Sequence, residues 1–287
     1  MSEPRDRTSG NPSAAAALLA GLCLVAGCGA PAPSDGAPLV AVSVLPQAWF
    51  VERIAGDRVR VAVMIPPGAS PAFHEPDFEQ IRAIAEAALY LELGHLPFES
   101  AWLDRLLAEQ PALPVVRVVT TVDRDADPHV WVSPRFARVM ARSTHAALAT
   151  LLPQDRGALD SNLAQLLDEI DAVDTHCRRR LESRRGGTFL VFHPAWGHLA
   201  EEYGLVQIAI QREGKEPDAR ALAALIQQAR GAGVKVVFAQ PHFDSASAEV
   251  IAAEIGARVE LIDPLAYAWA DNLRHVADAV ADAVALE

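Results

Sequence analysis

The sequence predicts an α/β protein of two lobes, each a roughly four-stranded parallel sheet flanked by helices, joined by one long helix. Three observations carry that reading. Four short β-rich runs come first, LVAVSVL (39–45), VRVAVMI (59–65), LYLELG (89–94) and VVRVVT (115–120). The same rhythm returns with TFLVFH (188–193), LVQIAI (205–210), VKVVFAQ (234–240) and RVELID (258–263). Near-continuous apolar runs separated by amphipathic stretches of about 10–15 residues are the pattern of parallel sheets covered on both faces. Between the two sets, from about Pro134 to Arg185, no strand pattern occurs. There Leu159, Leu163, Leu166, Leu167, Ile170 and Val173 recur at helical spacing, and Gly186-Gly187 ends the run as a helix C-terminus would. The resulting division is an N-terminal lobe over 38–155, a connecting helix over 156–186 and a C-terminal lobe over 187–287.

Composition narrows the partners. Of 287 residues 37 are Asp or Glu against 25 Lys or Arg, a net charge of −12 that would repel a phosphate backbone, so no nucleic-acid partner is expected. The three cysteines cannot make a disulfide framework, because Cys177 alone lies in the body of the chain. The other two belong to the front end. Residues 14–27 form an apolar run too short for a bilayer, which needs about 20, but suited to a signal-peptide core. Its tail, Val25-Ala26-Gly27-Cys28, resembles the bacterial lipobox. That resemblance implies removal of residues 1–27 and a lipid on Cys28. The Gly/Pro/Ala-rich residues 28–37 then read as a flexible tether. Glu3 and Asp6 offset Arg5 and Arg7, a departure from the usual positive leader. The expected product is an exported, membrane-anchored lipoprotein, monomeric, in the periplasm or at the cell surface.

The chemistry-bearing residues gather where strands end. His74 follows the second strand, His129 the fourth, His193 ends the fifth and Asp263 ends the eighth. Two candidates from each half, all on loops leaving strand C-termini, converge on the cleft between lobes. Three imidazoles and one carboxylate make a complete tetrahedral shell for a divalent metal, with zinc the natural fit. Four protein ligands leave no position for an activated water, which argues against an enzyme.

The segments DPHVWVSP (127–134), FHPAWGHLAEEYGL (192–205), EGKEP (213–217), VVFAQPHFDSASAEVIAAEIGARV (236–259) and IDPLA (262–266) resemble the substrate-binding proteins of ABC importers for zinc and manganese. The resemblance spans nearly the whole chain after the leader. It implies two lobes on a rigid helix with a metal between them, and an ABC permease with its ATPase as partners. His129, His193 and Asp263 fall on the family's ligand positions, and a histidine at position 193 goes with Zn2+ rather than Mn2+. The first ligand departs from the pattern, because the family's Ser-Pro-His is here Ser70-Pro71-Ala72, with a histidine at 74. In extended backbone positions i and i+2 face the same way, so His74 would reach the same cleft. The alternative is a three-residue site completed by water or by Glu75. The His-rich acidic loop that many zinc members carry before DPH is absent, TTVDRDADPH being short.

Other features are set aside. His74-Glu75 opens like HExxH, but position 78 is Phe78 and Pro76 opposes a helix. No phosphate loop or Ser-His-Asp set is present. His198 is expected to support the site, His242 to be a spare ligand, and Trp131 and Trp196 to wall the cleft. His95, His145, His176 and His275 read as surface residues without partners, and Glu216-Pro217 as a helix start. The competing function is a secreted zinc hydrolase with three protein ligands and Glu75 as general base.

Overall fold

The computed structural model describes residues 36–94, 96–121, 127–211, 217–241 and 246–284. Strands β1 (Leu39–Val42), β2 (Arg60–Val63), β3 (Leu89–Glu92) and β4 (Val115–Arg117) form one sheet, in the order β2-β1-β3-β4. Strands β5 (Thr188–Val191), β6 (Val206–Ala209), β7 (Val236–Ala239) and β8 (Arg258–Leu261) form a second sheet in the equivalent order β6-β5-β7-β8. Every pairing is parallel. Each observed strand lies inside a run read from sequence. The central strands are buried on both faces, as their apolar runs require. In both sheets the first strand has neighbours reached by crossovers in opposite directions. The switch points, β1/β3 and β5/β7, therefore open crevices at the strand C-termini.

Helices α1 (Leu45–Ala55), α2 (Phe78–Glu86) and α3 (Asp104–Ala108) belong to the first lobe. Helix α2 starts at Asp77, whose carboxylate accepts from Gln80 N while the Gln80 side chain accepts from Asp77 N, a reciprocal cap. Helix α4 (Pro134–Leu151) opens on a proline at its first position, where the missing N–H costs nothing. It precedes the long helix α5 (Arg156–Leu181), which lies within the expected connecting segment 156–186. Leu159, Leu166, Ile170 and Val173 are buried as expected, with Leu163 and Leu167 packed at the edge of the same core.

The second lobe carries α6 (Gly197–Tyr203), α7 (Ala219–Gly231), α8 (Ala246–Ile255) and α9 (Trp269–Ala283). The cap of α7 is Asp218, which accepts from Ala221 N at 2.8 Å, so Pro217 precedes the helix instead of opening it. Helix α9 buries Trp269, Leu273, Val276, Ala277 and Val280. It packs on α5, so one core runs from the first sheet through α5 into the second lobe. Cys177 lies within that core, fully buried despite its charged neighbours, and burial pushes its thiol up to about 12.

The lobes are tied directly. Trp131 Nε1 donates to the Pro264 carbonyl at 2.6 Å, and Trp269 Nε1 to the Trp131 carbonyl at 2.6 Å. Trp49 and Phe50 of α1 pack against Trp269 with ring centroids 5.6 and 5.4 Å away, the first tilted and the second edge to face. Asp174 on α5 accepts from Arg138 of α4 at 2.8 Å and from the hydroxyl of Tyr203 of α6 at 3.0 Å. Ser133 donates to Glu202, and Tyr267 to Glu52. His145 and His176, read as lone surface residues, instead pair with Asp160 and Asp278 across α4/α5 and α5/α9. Among the described residues no helix is long and apolar enough to cross a membrane. Residues 1–27, Cys28, His95 and His242 lie outside the described residues.

Candidate metal centre

A cavity of about 630 Å³ opens where the C-terminal ends of the two sheets face each other. Its lining comes from both lobes, with Ala72, Leu96, Asp127 and His129 on one side and His193, Gln207 and Leu265 on the other.

His129 enters from the loop that precedes α4. Asp127 Oδ1 accepts from the His129 backbone N–H at 3.0 Å and from Nδ1 at 2.6 Å, a tight turn closed by one carboxylate. Burial works against ionisation of Asp127. The hydrogen bonds and charge of His129, with the charge of His198, outweigh it and hold the carboxyl below the usual range. With Nδ1–H committed as a donor, the lone pair of the His129 ring lies on Nε2.

His193 leaves the switch-point strand β5. The carbonyl of Gln211, at the end of β6, accepts from Nδ1 at 3.2 Å, which again puts the lone pair on Nε2. Gln240, after β7, clamps the backbone: its amide donates to the His193 carbonyl at 3.0 Å, and its Oε1 accepts from the His193 N–H at 3.4 Å. Gln207 on β6 accepts from Trp196 N at 2.8 Å. Three glutamines, one within β6 and two just past the ends of β6 and β7, thus hold the His193 loop. They were missed from sequence, although a lone Gln in LVQIAI or FAQ was the available signal. The rings of His129 and His193 stand 5.2 Å apart, nearly perpendicular.

The other two sequence candidates are placed differently. Residues 70–74 are not extended, because the N–H groups of Phe73 and His74 both return to the Ser70 carbonyl, at 3.1 and 2.9 Å. In a helical turn positions i and i+2 point apart, and this corrects the expectation that His74 faces the cleft with position 72. Ala72 lines the main cavity. His74 bonds Gln80 at 3.0 Å, stacks on Phe98 at 5.8 Å and lines an adjoining cavity of about 260 Å³ with Glu75 and Trp102. Asp263 follows β8 and accepts from Leu265 N at 2.8 Å. It lines a small cavity of about 110 Å³ with Gly68 and Tyr267, and Leu265 also lines the main one. Among the described residues no three His, Cys, Asp or Glu side chains stand together as a metal-holding group.

Trp131 and Trp196 do not wall the cleft. Both are fully buried, and Trp131 supports His129 from below, edge to face at 5.3 Å. His198 donates from Nε2 to the Asp127 carbonyl at 2.8 Å. A second network, also missed from sequence, steadies the loop that brings Leu96 into the cavity. Glu99 accepts from Leu93 N at 2.8 Å, from Gly94 N at 2.6 Å and from Ser43, to which Tyr90 in turn donates at 2.9 Å. Burial raises the carboxyl of Glu99 above the usual range in spite of these donors. Gly94, at φ +87°, supplies the left-handed bend that this loop needs.

Comparison with known proteins gives a consistent picture. Residues 40–283 match the family described as zinc-uptake complex component A, periplasmic. The high-affinity zinc uptake system protein ZnuA of Bacillus subtilis is 28% identical over 270 residues, covering 84% of this chain and 85% of that protein. The zinc-binding lipoprotein AdcA of Streptococcus pneumoniae is 24% identical over 274 residues. That match covers 86% of this chain, which spans about half, 54%, of the length of AdcA. A crystal structure of ZnuA superposes with a TM-score of 0.82 at 38% identity, covering 86% of this chain and 99% of that one.

Proposed function

The chain belongs to the family of periplasmic zinc-uptake component A proteins, and from that premise we propose that it is the extracytoplasmic substrate-binding protein of a metal ABC importer. It captures Zn2+ and hands it to a membrane permease driven by its ATPase. The names of the relatives support zinc as cargo over Mn2+. The lipoprotein relative supports export, with cleavage after residue 27, a lipid on Cys28 and a tether to the membrane. The protein acts as a monomer and is not an enzyme.

The observation that carries the reading is the pair His129 and His193, one from each lobe, 5.2 Å apart with both Nδ1 atoms engaged. A metal-binding histidine characteristically has its other nitrogen hydrogen-bonded, which fixes the tautomer and the ring direction. Both rings fulfil that condition, and in the proposed site each gives Nε2 to the ion. Asp263 is the third ligand, brought in from the far side of Leu265 by a local shift of the loop anchored at Pro264 by Trp131. The fourth position falls to His74 if its turn opens, and otherwise to water or Glu75. Of the hydrolase alternative, Glu75 is exposed and lines the neighbouring cavity rather than that of the two histidines, which supports transport over catalysis.

The test is zinc stoichiometry and affinity by chelator competition for the wild type, His129→Ala, His193→Ala, Asp263→Ala and His74→Ala. One zinc per chain, weakened at least tenfold by each of the first two substitutions, is expected. A wild type that fails to hold zinc, or one indifferent to both, overturns the reading. The His74 variant decides between a four-residue shell and a three-residue one completed by water or Glu75.

A further inference from the structure

The residue that orients the N-lobe histidine is itself seated by the C-lobe. Asp127 fixes His129 through the two bonds to Oδ1. Its backbone carbonyl accepts from Nε2 of His198, which the edge of Phe136 holds in place at 4.9 Å. Its second carboxylate oxygen lies against Gly197, where a Cβ would stand only 2.5 Å from Oδ2. A Cβ carbon, which forms no hydrogen bond, essentially never comes within 3.0 Å of such an atom, so the seat exists because residue 197 is glycine.

Gly197 and His198 open α6 and come directly after His193-Pro194-Ala195-Trp196. One short segment thus carries the C-lobe histidine and, five residues on, the seat for the N-lobe histidine's partner. Gln207, which holds Trp196 in the middle of that segment, also has its Nε2 within 3.7 Å of the Gly197 Cβ position.

We propose that Asp127 is a positioning residue seated across the lobe boundary by Gly197 and His198, so that a single contact sets both the aim of His129 and the apposition of the lobes. The inference rests on His129 being a zinc ligand. Its consequence is a release device: withdrawing α6 from Asp127 moves His193 away and unlocks the His129 ring in the same displacement. Zinc then loses two ligands together instead of one at a time.

The test is a double-mutant cycle on zinc affinity with Gly197→Ala, Asp127→Ala and the pair. Gly197 is not among the positive-φ glycines and stands at the start of a helix, so alanine suits the backbone. Of the neighbours a Cβ would meet there, only the Asp127 carboxylate is in conflict. Gly197→Ala is expected to weaken zinc about tenfold, and Asp127→Ala by 10- to 100-fold, the usual cost of losing such a partner. The double variant is expected to bind no more weakly than Asp127→Ala, since the methyl then has nothing to displace.

Urea midpoints of the metal-free proteins separate folding from binding. Asp127→Asn provides the conservative rescue, because its carbonyl oxygen still accepts from Nδ1–H. It should retain more affinity than alanine and keep the wild-type Co2+ absorption spectrum. Multiplicative effects in the cycle, or a Gly197→Ala protein with wild-type affinity, overturn the seat while leaving the zinc site standing. A wild type that binds no zinc overturns both.

Discussion

Removing the Asp174 carboxylate should loosen the joint between the lobes, by an amount that can be worked out from its partners. Asp174 sits on α5 with its side chain only 11% exposed, and it accepts from Arg138 of α4, Arg178 of its own helix and Tyr203 of α6. Arg178 is 59% exposed, so its share is that of a surface pair, about 0–1 kcal/mol. Arg138 keeps Asp171 at 2.7 Å when Asp174 is lost, which softens that loss. The hydroxyl of Tyr203, a residue only 3% exposed, would be left without its acceptor, at about 1–3 kcal/mol. Asp174→Ala is therefore expected to cost about 3 kcal/mol, read as a lower urea midpoint with an unchanged slope. Tyr203→Phe removes the same bond but strands no buried donor, so it should cost about 1 kcal/mol and be less than additive with Asp174→Ala.

The pH dependence follows from the same contacts. Burial opposes ionisation of Asp174, but hydrogen bonds from Arg138, Tyr203 and Arg178 outweigh it, and its carboxyl lies below the usual range. A carboxyl depressed by folding adds stability above its unfolded value of ~3.9, and that stability is lost as pH falls through the folded value. The gap between wild type and Asp174→Ala should thus be full at neutral pH and close in acid. A loss below about 0.5 kcal/mol at neutral pH would refute the reasoning.

Three further outcomes follow. Trp131→Phe leaves the Pro264 carbonyl without its donor, and should cost about 1–3 kcal/mol in urea unfolding while weakening zinc through the Asp263 loop. Cys177, buried and with its thiol pushed up to about 12, should resist alkylation in the native protein and label only on unfolding, as followed by peptide mass spectrometry. Zinc affinity should fall steadily on acidification, because protons compete with the metal for imidazole nitrogen, and chelator competition across a pH series reads it directly.

Strand positions, their parallel pairing and the long helix were legible because fully buried strands need unbroken apolar runs and α5 needs a 3.6-residue stripe. That His129 and His193 line one cavity was legible for a different reason, since His193 ends a strand pattern, His129 follows one, and each stands beside a proline. What could not be read was local backbone. Whether Ser70 to His74 is extended or turned depends on two hydrogen bonds to one carbonyl, and that choice decides which way His74 faces. The Gln207, Gln211 and Gln240 clamps and the Glu99 network were equally hidden. Each joins residues far apart in the chain, through a neutral amide or a carboxylate that composition assigns to the surface. Trp131 and Trp196 were assigned to the cleft for being near histidines, but the largest side chains fill the space beneath a site rather than its rim.

In the proposed site one zinc ion is held between the lobes through Nε2 of His129 and Nε2 of His193. Anomalous diffraction at the zinc edge from crystals of the loaded protein measures this directly. A single peak is expected about 2.0–2.1 Å from both Nε2 atoms, with Nδ1 of each ring still on Asp127 and Gln211. A peak bound through either Nδ1, or one lying away from the interlobe cavity, would contradict it.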